Sequence, residues 1–357
     1  MPSTAAKLFI PSPTCTVEQL LSRDFHSAPN PLPWQPGANL DYSPHKPDAP
    51  ADIPRWVALV DHYSATTAVT LPHITTFGPE TLSVIHPGAP SSRLPIWFVE
   101  LWVSLSDVYS MRRGYLRSRT WVLHMRDTGA WPVAECEDVL RHLSFLPATD
   151  HVWRHAATRL ASSNQWINSD VLDLVAIMLN SEIRETPLRG VAFVLSPGVS
   201  GYSAKKLAER FSRWIVRRVF QKDATLYIPW HLDSHWITVV FDIALGIIRY
   251  ADSKPSYSTT LLPSAKRKMG KVSAAIDRAT GRPVRMWKFD SKSIACEEQK
   301  DDHSCGVAAA FTIAHQIFPD RSPWQPGFPD QLRLSLLLQL LRRAPQVRSL
   351  STNPSSS

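Results

Sequence analysis

The sequence predicts an α+β domain in its second half, with a mixed sheet covered by helices. Three observations carry this. Residues 225–253 hold three strand-like runs, TLYIPW, HWITVVFD and IIRYADS, rich in β-branched and aromatic side chains. Two segments with helical spacing come before them, at residues 164–180 and 203–220. Two more apolar helical segments follow, at residues 305–318 and 331–343.

The elements follow in order. Residues 1–54 are rich in proline (Pro29, Pro31, Pro33, Pro36, Pro44, Pro47, Pro50, Pro54), which blocks regular helix and central strand, so a mostly irregular arm is expected. Within it, LPWQPG can still pack on the body through Trp34. Residues 55–149 read as a mainly helical extension. IWFVELWVSLSDVY (96–109) suits a buried helix, and VAECEDVLRHLSFL (133–146) is amphipathic through Val139, Leu140 and Leu143. No motif in this half carries chemistry.

The α+β domain then spans residues 150–343. NQWINSDVLDLVAIMLN (164–180) is a loop leading into a helix with Val171, Leu174, Val175 and Met178 on one face. VAFVL (191–195) is a short strand stopped by Ser196-Pro197-Gly198. SAKKLAERFSRWIVRRVF (203–220) is a helix with Ser203 as N-cap and Leu207, Phe211 and Ile215 facing inward. After the three strands comes the basic segment SAKRKMGKVSAAIDRAT, then VRMWKFD (284–290) as a further strand, then the last two helices and a polar tail over 344–357.

Length and composition set outer limits. The 357 residues are 44% hydrophobic, enough for one sizeable domain plus an extension. Four cysteines, Cys15, Cys136, Cys296 and Cys305, do not make a disulfide framework in a chain this long. The start MPSTAAKLFIPSP has one lysine and a short apolar patch broken by proline, so no signal peptide is expected. No uncharged apolar run reaches about 18 residues, so no transmembrane helix or membrane partner is expected. The expectation is an intracellular protein with reduced thiols, nuclear or cytoplasmic. A net charge of +8 suits an acidic partner, nucleic acid included, without choosing among them.

The chemistry gathers around QKDDHSCGVAAAFTIAHQIF (299–318), where a polar run gives way to an apolar helix at Cys305. A cysteine in the first turn of that helix faces unpaired backbone N–H groups and their partial positive charge, which stabilise a thiolate. Gly306 beside it permits close approach of a substrate backbone. The candidate base is His235. If Asp242 and Leu245 face each other across a two-residue loop, the hairpin puts His235 directly opposite Asp252, on one face. A carboxylate there orients the imidazole and stabilises its cation. Gln299 supplies a neutral amide that, with the Cys305 N–H, can hold a developing oxyanion.

The order His235-Trp236, Asp252-Ser253, Gln299, Cys305-Gly306 resembles the Ulp1/SENP-like cysteine proteases that process SUMO and related ubiquitin-like modifiers. WINSD (166–170) is similar to that family's Trp-Leu-Asn/Ser-Asp entry to its first helix, and the resemblance covers residues 153–343. It implies a papain-like fold, a protease domain over residues 150–343, no cofactor, and cleavage after a Gly-Gly tail in precursors or lysine conjugates. It implies Cys305 as nucleophile, His235 as base and acid, Asp252 as its orienter and Gln299 as oxyanion donor. Trp166 and Trp236 would flank a channel narrow enough for glycines alone. Two departures are visible: Ser304 stands where the family commonly has Asp, and Ser169 follows Asn168 where many members have Asp.

Two other function classes stay open. An acetyltransferase can share this architecture, and a noncatalytic module can bind a modifier or nucleic acid. His231 and His235 are four apart, but Pro229 and the β-rich surroundings oppose the helix that would bring them onto one metal. Cys296, His303 and Cys305 do not have a zinc spacing, so no metal is expected. AKRKMGK (265–271) reads as a solvated helix face, with a nuclear address as the alternative.

Overall fold

The computed structural model describes residues 14–22, 83–86, 89–232, 234–254, 263–283, 286–290 and 294–351. The chain divides into two compact units, Met1–Arg117 with Leu143–Arg154, and Ser118–His142 with His155–Ser357. The chain crosses between them more than once.

The first unit opens with a helix inside the arm read as irregular, α1 (Val17–Ser22). Its cause is a reciprocal cap. The Thr16 hydroxyl accepts the Gln19 N–H at 3.2 Å, and the Gln19 side chain accepts the Thr16 N–H at 3.0 Å. The Val17 N–H donates to the Leu146 carbonyl, and the Ala148 N–H to that of Cys15, which buries Cys15, Val17 and Leu20. Trp34 and the proline cluster lie outside the described residues. Strands β1 (Ser83–His86) and β2 (Ala89–Pro95) form an antiparallel pair. Helix α2 (Ile96–Asp127) begins in this unit and ends in the other, as α3 (Val133–Ser144) and α4 (His151–Leu160) also cross.

The second unit holds α5 (Ser169–Arg184), β3 (Ala192–Val194), a 3₁₀ turn (Pro197–Gly201), α6 (Ala204–Val216), β4 (Thr225–Leu232), β5 (His235–Asp242) and β6 (Ile247–Ala251). Then come α7 (Pro263–Thr280), β7 (Lys288–Asp290), α8 (Cys305–Ile317) and α9 (Pro329–Ser351). The last helix runs on into the stretch read as a polar tail. The strands form one mixed sheet in sequence order, with β3–β4 and β6–β7 parallel and β4–β5–β6 antiparallel. Helices flank it, so the α+β expectation holds.

Strand β5 is buried at every position, because both faces of the sheet are covered. Ile237, Val239 and Phe241 join a core with Leu207 and Phe211 of α6 and Met269, Val272 and Ile276 of α7. On the alternate side Thr238 donates to the Ala309 carbonyl of α8 at 3.2 Å. Helix α8 is alanine-rich and buried along most of its length, and small side chains let it lie close to the sheet. In α7 the alternation of Ala265, Met269 and Val272 with Lys266, Arg267, Lys268 and Lys271 sets the apolar side inward, so the basic run forms the exposed face of a helix. No helix among the described residues is long and apolar enough to cross a membrane.

Candidate functional site

The hairpin that carries His235 and Asp252 differs from the expected one. Asp242 pairs with Ile247, so residues 243–246 form the loop instead of two residues. The Asp242 side chain accepts the Leu245 N–H at 2.9 Å, and Gly246 closes the turn at φ +69. This register, extended, puts Ile237 and not His235 across from Asp252. The slip is an even number of positions, so His235 and Asp252 keep the same parity and become diagonal neighbours. Ladder pairing ends at Thr238 and Ala251, and both residues lie beyond it, at the open end of the sheet.

There the His235 Nε2 donates to the Asp252 Oδ1 at 2.6 Å. The same carboxylate oxygen accepts the Lys254 N–H at 2.7 Å, which fixes its direction. The Cys305 side chain lies near the imidazole and, after Asp252, favours its charged form. Burial opposes a charge on His235, but the Asp252 and Cys305 contacts win and lift it to about 9 from its ordinary 6.5. Cys305, His235 and Asp252 are therefore brought together.

Cys305 is the first residue of α8 and only 1% exposed. The chain entering that helix is tied by Asp301, whose carboxylate accepts the N–H groups of His303 at 2.8 Å and Ser304 at 2.7 Å. Burial raises the cost of charge on Asp301, yet these bonds hold it below the usual carboxylate range. Gln299 is also brought to the site, and it is buried, not solvated. Its side-chain oxygen accepts the Ser253 hydroxyl at 2.7 Å, and its amide donates to the Asp301 carbonyl at 2.6 Å. The backbone N–H of Gln299 donates to the Ser253 carbonyl at 2.6 Å.

Residues 252–254 thus join the histidine strand to the loop ahead of the cysteine. Asp252 holds His235, Ser253 holds Gln299, and Lys254 pairs with Asp302. Sequence reasoning saw Ser253 only as a neighbour of Asp252, and gave Asp301 no role. A polar residue between a strand and a turn carries no periodic signal, so neither role could be read without the packing.

The two tryptophans meet the site differently. The Trp236 indole is buried, and its Nε1 donates to the Ile167 carbonyl at 2.8 Å. Trp166, one residue earlier than Ile167, is 42% exposed, and its carbonyl accepts from Arg159. Gly306 is buried against the chain itself. A Cβ there would lie 2.9 Å from the Ile167 Cβ and 3.3 Å from the Trp236 Cδ1. Its missing side chain therefore makes room for Ile167 and Trp236. Asn168 N-caps α5 by accepting the Val171 N–H at 3.3 Å, which fixes where that loop enters the helix. His231 and His235 sit on separate strands: the His231 ring packs on Trp236 at 4.6 Å, while His235 faces Asp252.

No family model matches the chain, and no curated protein matches it. Among solved structures it is similar to the C-terminal Ulp1 protease domain in complex with Smt3, the yeast ortholog of SUMO, at 15% identity over 56% of this chain and 84% of that one, TM-score 0.43. It is also similar to the SUMO protease Ulp1 with its catalytic cysteine oxidised to a sulfenic acid, at 14% identity over 60% and 96%, TM-score 0.46. A third is a de-sumoylating protease, at 14% identity over 58% and 92%, TM-score 0.38.

Proposed function

We propose that this chain is a papain-like cysteine peptidase that cleaves after the C-terminal Gly-Gly of a ubiquitin-like modifier, SUMO or a relative of it. The observation that carries the reading is the His235 ring, held between the Asp252 carboxylate and a cysteine that opens a buried helix. A noncatalytic binder has no use for a buried imidazolium beside a thiol.

In this reading the Cys305 sulfur attacks the carbonyl carbon of the last glycine. The carbonyl oxygen becomes an oxyanion, received by the Cys305 N–H and the second N–H of the Gln299 amide. His235 gives its proton to the departing amine, the C–N bond breaks, and a thioester remains. Water then attacks the thioester with His235 as base, releasing the modifier carboxylate and restoring the thiol. Asp252 keeps the Nε2–H pointed away, so Nδ1 serves the sulfur. Trp236, pinned to Ile167, and the exposed Trp166 beside it form the walls past which only glycines are thin enough to run.

The test is hydrolysis of SUMO and ubiquitin carrying a C-terminal fluorogenic amide. The wild type should release the fluorophore from one of them, and Cys305→Ala should release none while still binding it. Equal turnover in the two proteins would remove Cys305 from the chemistry. Acetyl transfer from acetyl-CoA without amide hydrolysis would replace the peptidase reading.

A further inference from the structure

In α9, Arg333 heads a stripe that continues through Leu337, Leu340, Leu341 and Ala344, all buried, and Arg333 is itself 0% exposed. Its Nη1 donates to the Arg159 carbonyl at 3.1 Å and its Nη2 to the His303 carbonyl at 3.0 Å. Nε meets no acceptor among the described residues. Two neutral carbonyls do not cancel a cation, and burial works against the charge. An apolar side chain of similar volume would fill this place without that penalty. The guanidinium is therefore in a position that packing alone does not explain.

Its electrostatic neighbours explain it better. They are Asp330, Asp301 and Cys305. We propose that Arg333 is a positioning residue for Cys305, clamping the carbonyl two residues ahead of the thiol and setting a permanent positive charge within reach of the sulfur. This rests on Cys305 being the nucleophile. The carboxylates nearby offset part of that charge: the N–H groups of His303 and Ser304 keep Asp301 ionised, and Asp330 faces the guanidinium although burial raises it. Other titratable groups around the sulfur and its loop include His303, the His235–Asp252 pair and the Lys254–Asp302 pair. His235 loses its charge each time it hands a proton to the leaving amine. Arg333 does not titrate in that range, so its charge is present whenever the Cys305 sulfur is free to ionise.

The experiment is the rate of Cys305 alkylation by chloroacetamide, followed by mass spectrometry of the full chain from about pH 4 to about pH 9. Arg333→Gln keeps an amide donor and removes the charge, and Arg333→Lys keeps the charge. The glutamine variant should move the midpoint up by about one pH unit and slow alkylation about tenfold on the acidic limb, while the lysine variant stays near the wild type. A strut without electrostatic effect would lower the plateau in either variant and leave the midpoint fixed, and that overturns the proposal. Should the glutamine variant fail to fold, Asp330→Asn gives the opposite-signed test. Removing that anion should move the midpoint down, and a fixed midpoint counts against the proposal equally. A wild type whose Cys305 resists alkylation, together with Cys305→Ala that still hydrolyses substrate, would sink the nucleophile reading and this inference with it. A reactive Cys305 with an unshifted profile would sink this inference alone.

Discussion

At His235 two effects oppose each other: burial disfavours the cation, and contacts with Asp252 and Cys305 favour it. The contacts win, so the ring is charged at neutral pH, and each partner has a separable task. Asp252→Asn keeps an acceptor near Nε2 but loses the anion, and should cut kcat/KM about 10²-fold in the fluorogenic assay. His235→Ala removes base and acid together and should match Cys305→Ala, because groups that act as a unit do not fail additively. A ranking with Asp252→Asn the worse of the two would contradict the assigned roles. Cys296 offers a contrast, since burial pushes that thiol up to about 11, which leaves it unreactive at neutral pH. Gly306 is a steric matter. A methyl there would press on the Ile167 Cβ at 2.9 Å, backbone-anchored and unable to swing aside. Gly306→Ala should destabilise the fold by about 1–3 kcal/mol, read as a lower urea midpoint, and an unchanged midpoint would show that the Ile167 loop yields freely.

At the scale of elements, two helix caps separate stability from function. Ser203 accepts the Lys206 N–H at 3.3 Å and starts α6, on the side of the sheet where Leu207 and Phe211 pack. Asn168 starts α5, directly after the Ile167 carbonyl that holds Trp236. Either change to alanine should cost about 1 kcal/mol in thermal unfolding. Only Asn168→Ala should also raise KM, because it loosens Ile167 and with it the indole. Equal kinetics in the two variants would detach the α5 cap from substrate seating. The same elements show what the sequence could reveal. Ser203 as a cap, the β4–β5–β6 order and the cysteine at a helix start were all legible, since each is set by local chemistry or by a strict period. The loop after β5 was not, because residues 243–246 turn through an Asp242 side-chain bond and Gly246, which no hydrophobic alternation records. The pairing of His235 with Asp252 survived that error because a two-position slip preserves parity. The Thr16–Gln19 cap of α1 is legible as Thr-x-x-Gln ahead of Leu20, a local signal that acts independently of the prolines along the arm. Arg333 had a signal too, a charge at a core position of a leucine stripe, but only the packing reveals what it faces.

For the whole molecule, the buried ionisations set how stability depends on pH. His235 titrates near 9 when folded and near its ordinary 6.5 when unfolded. Below 6.5 both states carry the proton and its contribution is fully present. As pH rises from there the unfolded chain sheds the proton first, and the contribution is lost as pH passes through about 9. That shift corresponds to about 3 kcal/mol at most. Cys296 acts in the same direction only at the alkaline end, since its thiol ionises more readily in the unfolded chain. Burial raises Asp173 and Asp330, while burial of Asp301 is outweighed by its N–H bonds, which lower it. Among the described residues, His235 carries a raised value that spans the interval between neutrality and pH 9. Urea unfolding at a series of pH values should show the wild type losing stability steadily over that interval, while His235→Gln stays nearly flat until the thiols begin to ionise. Parallel curves for the two proteins would mean that the imidazole is not held as a cation in the folded chain, and the proton given to the departing amine would have to come from elsewhere.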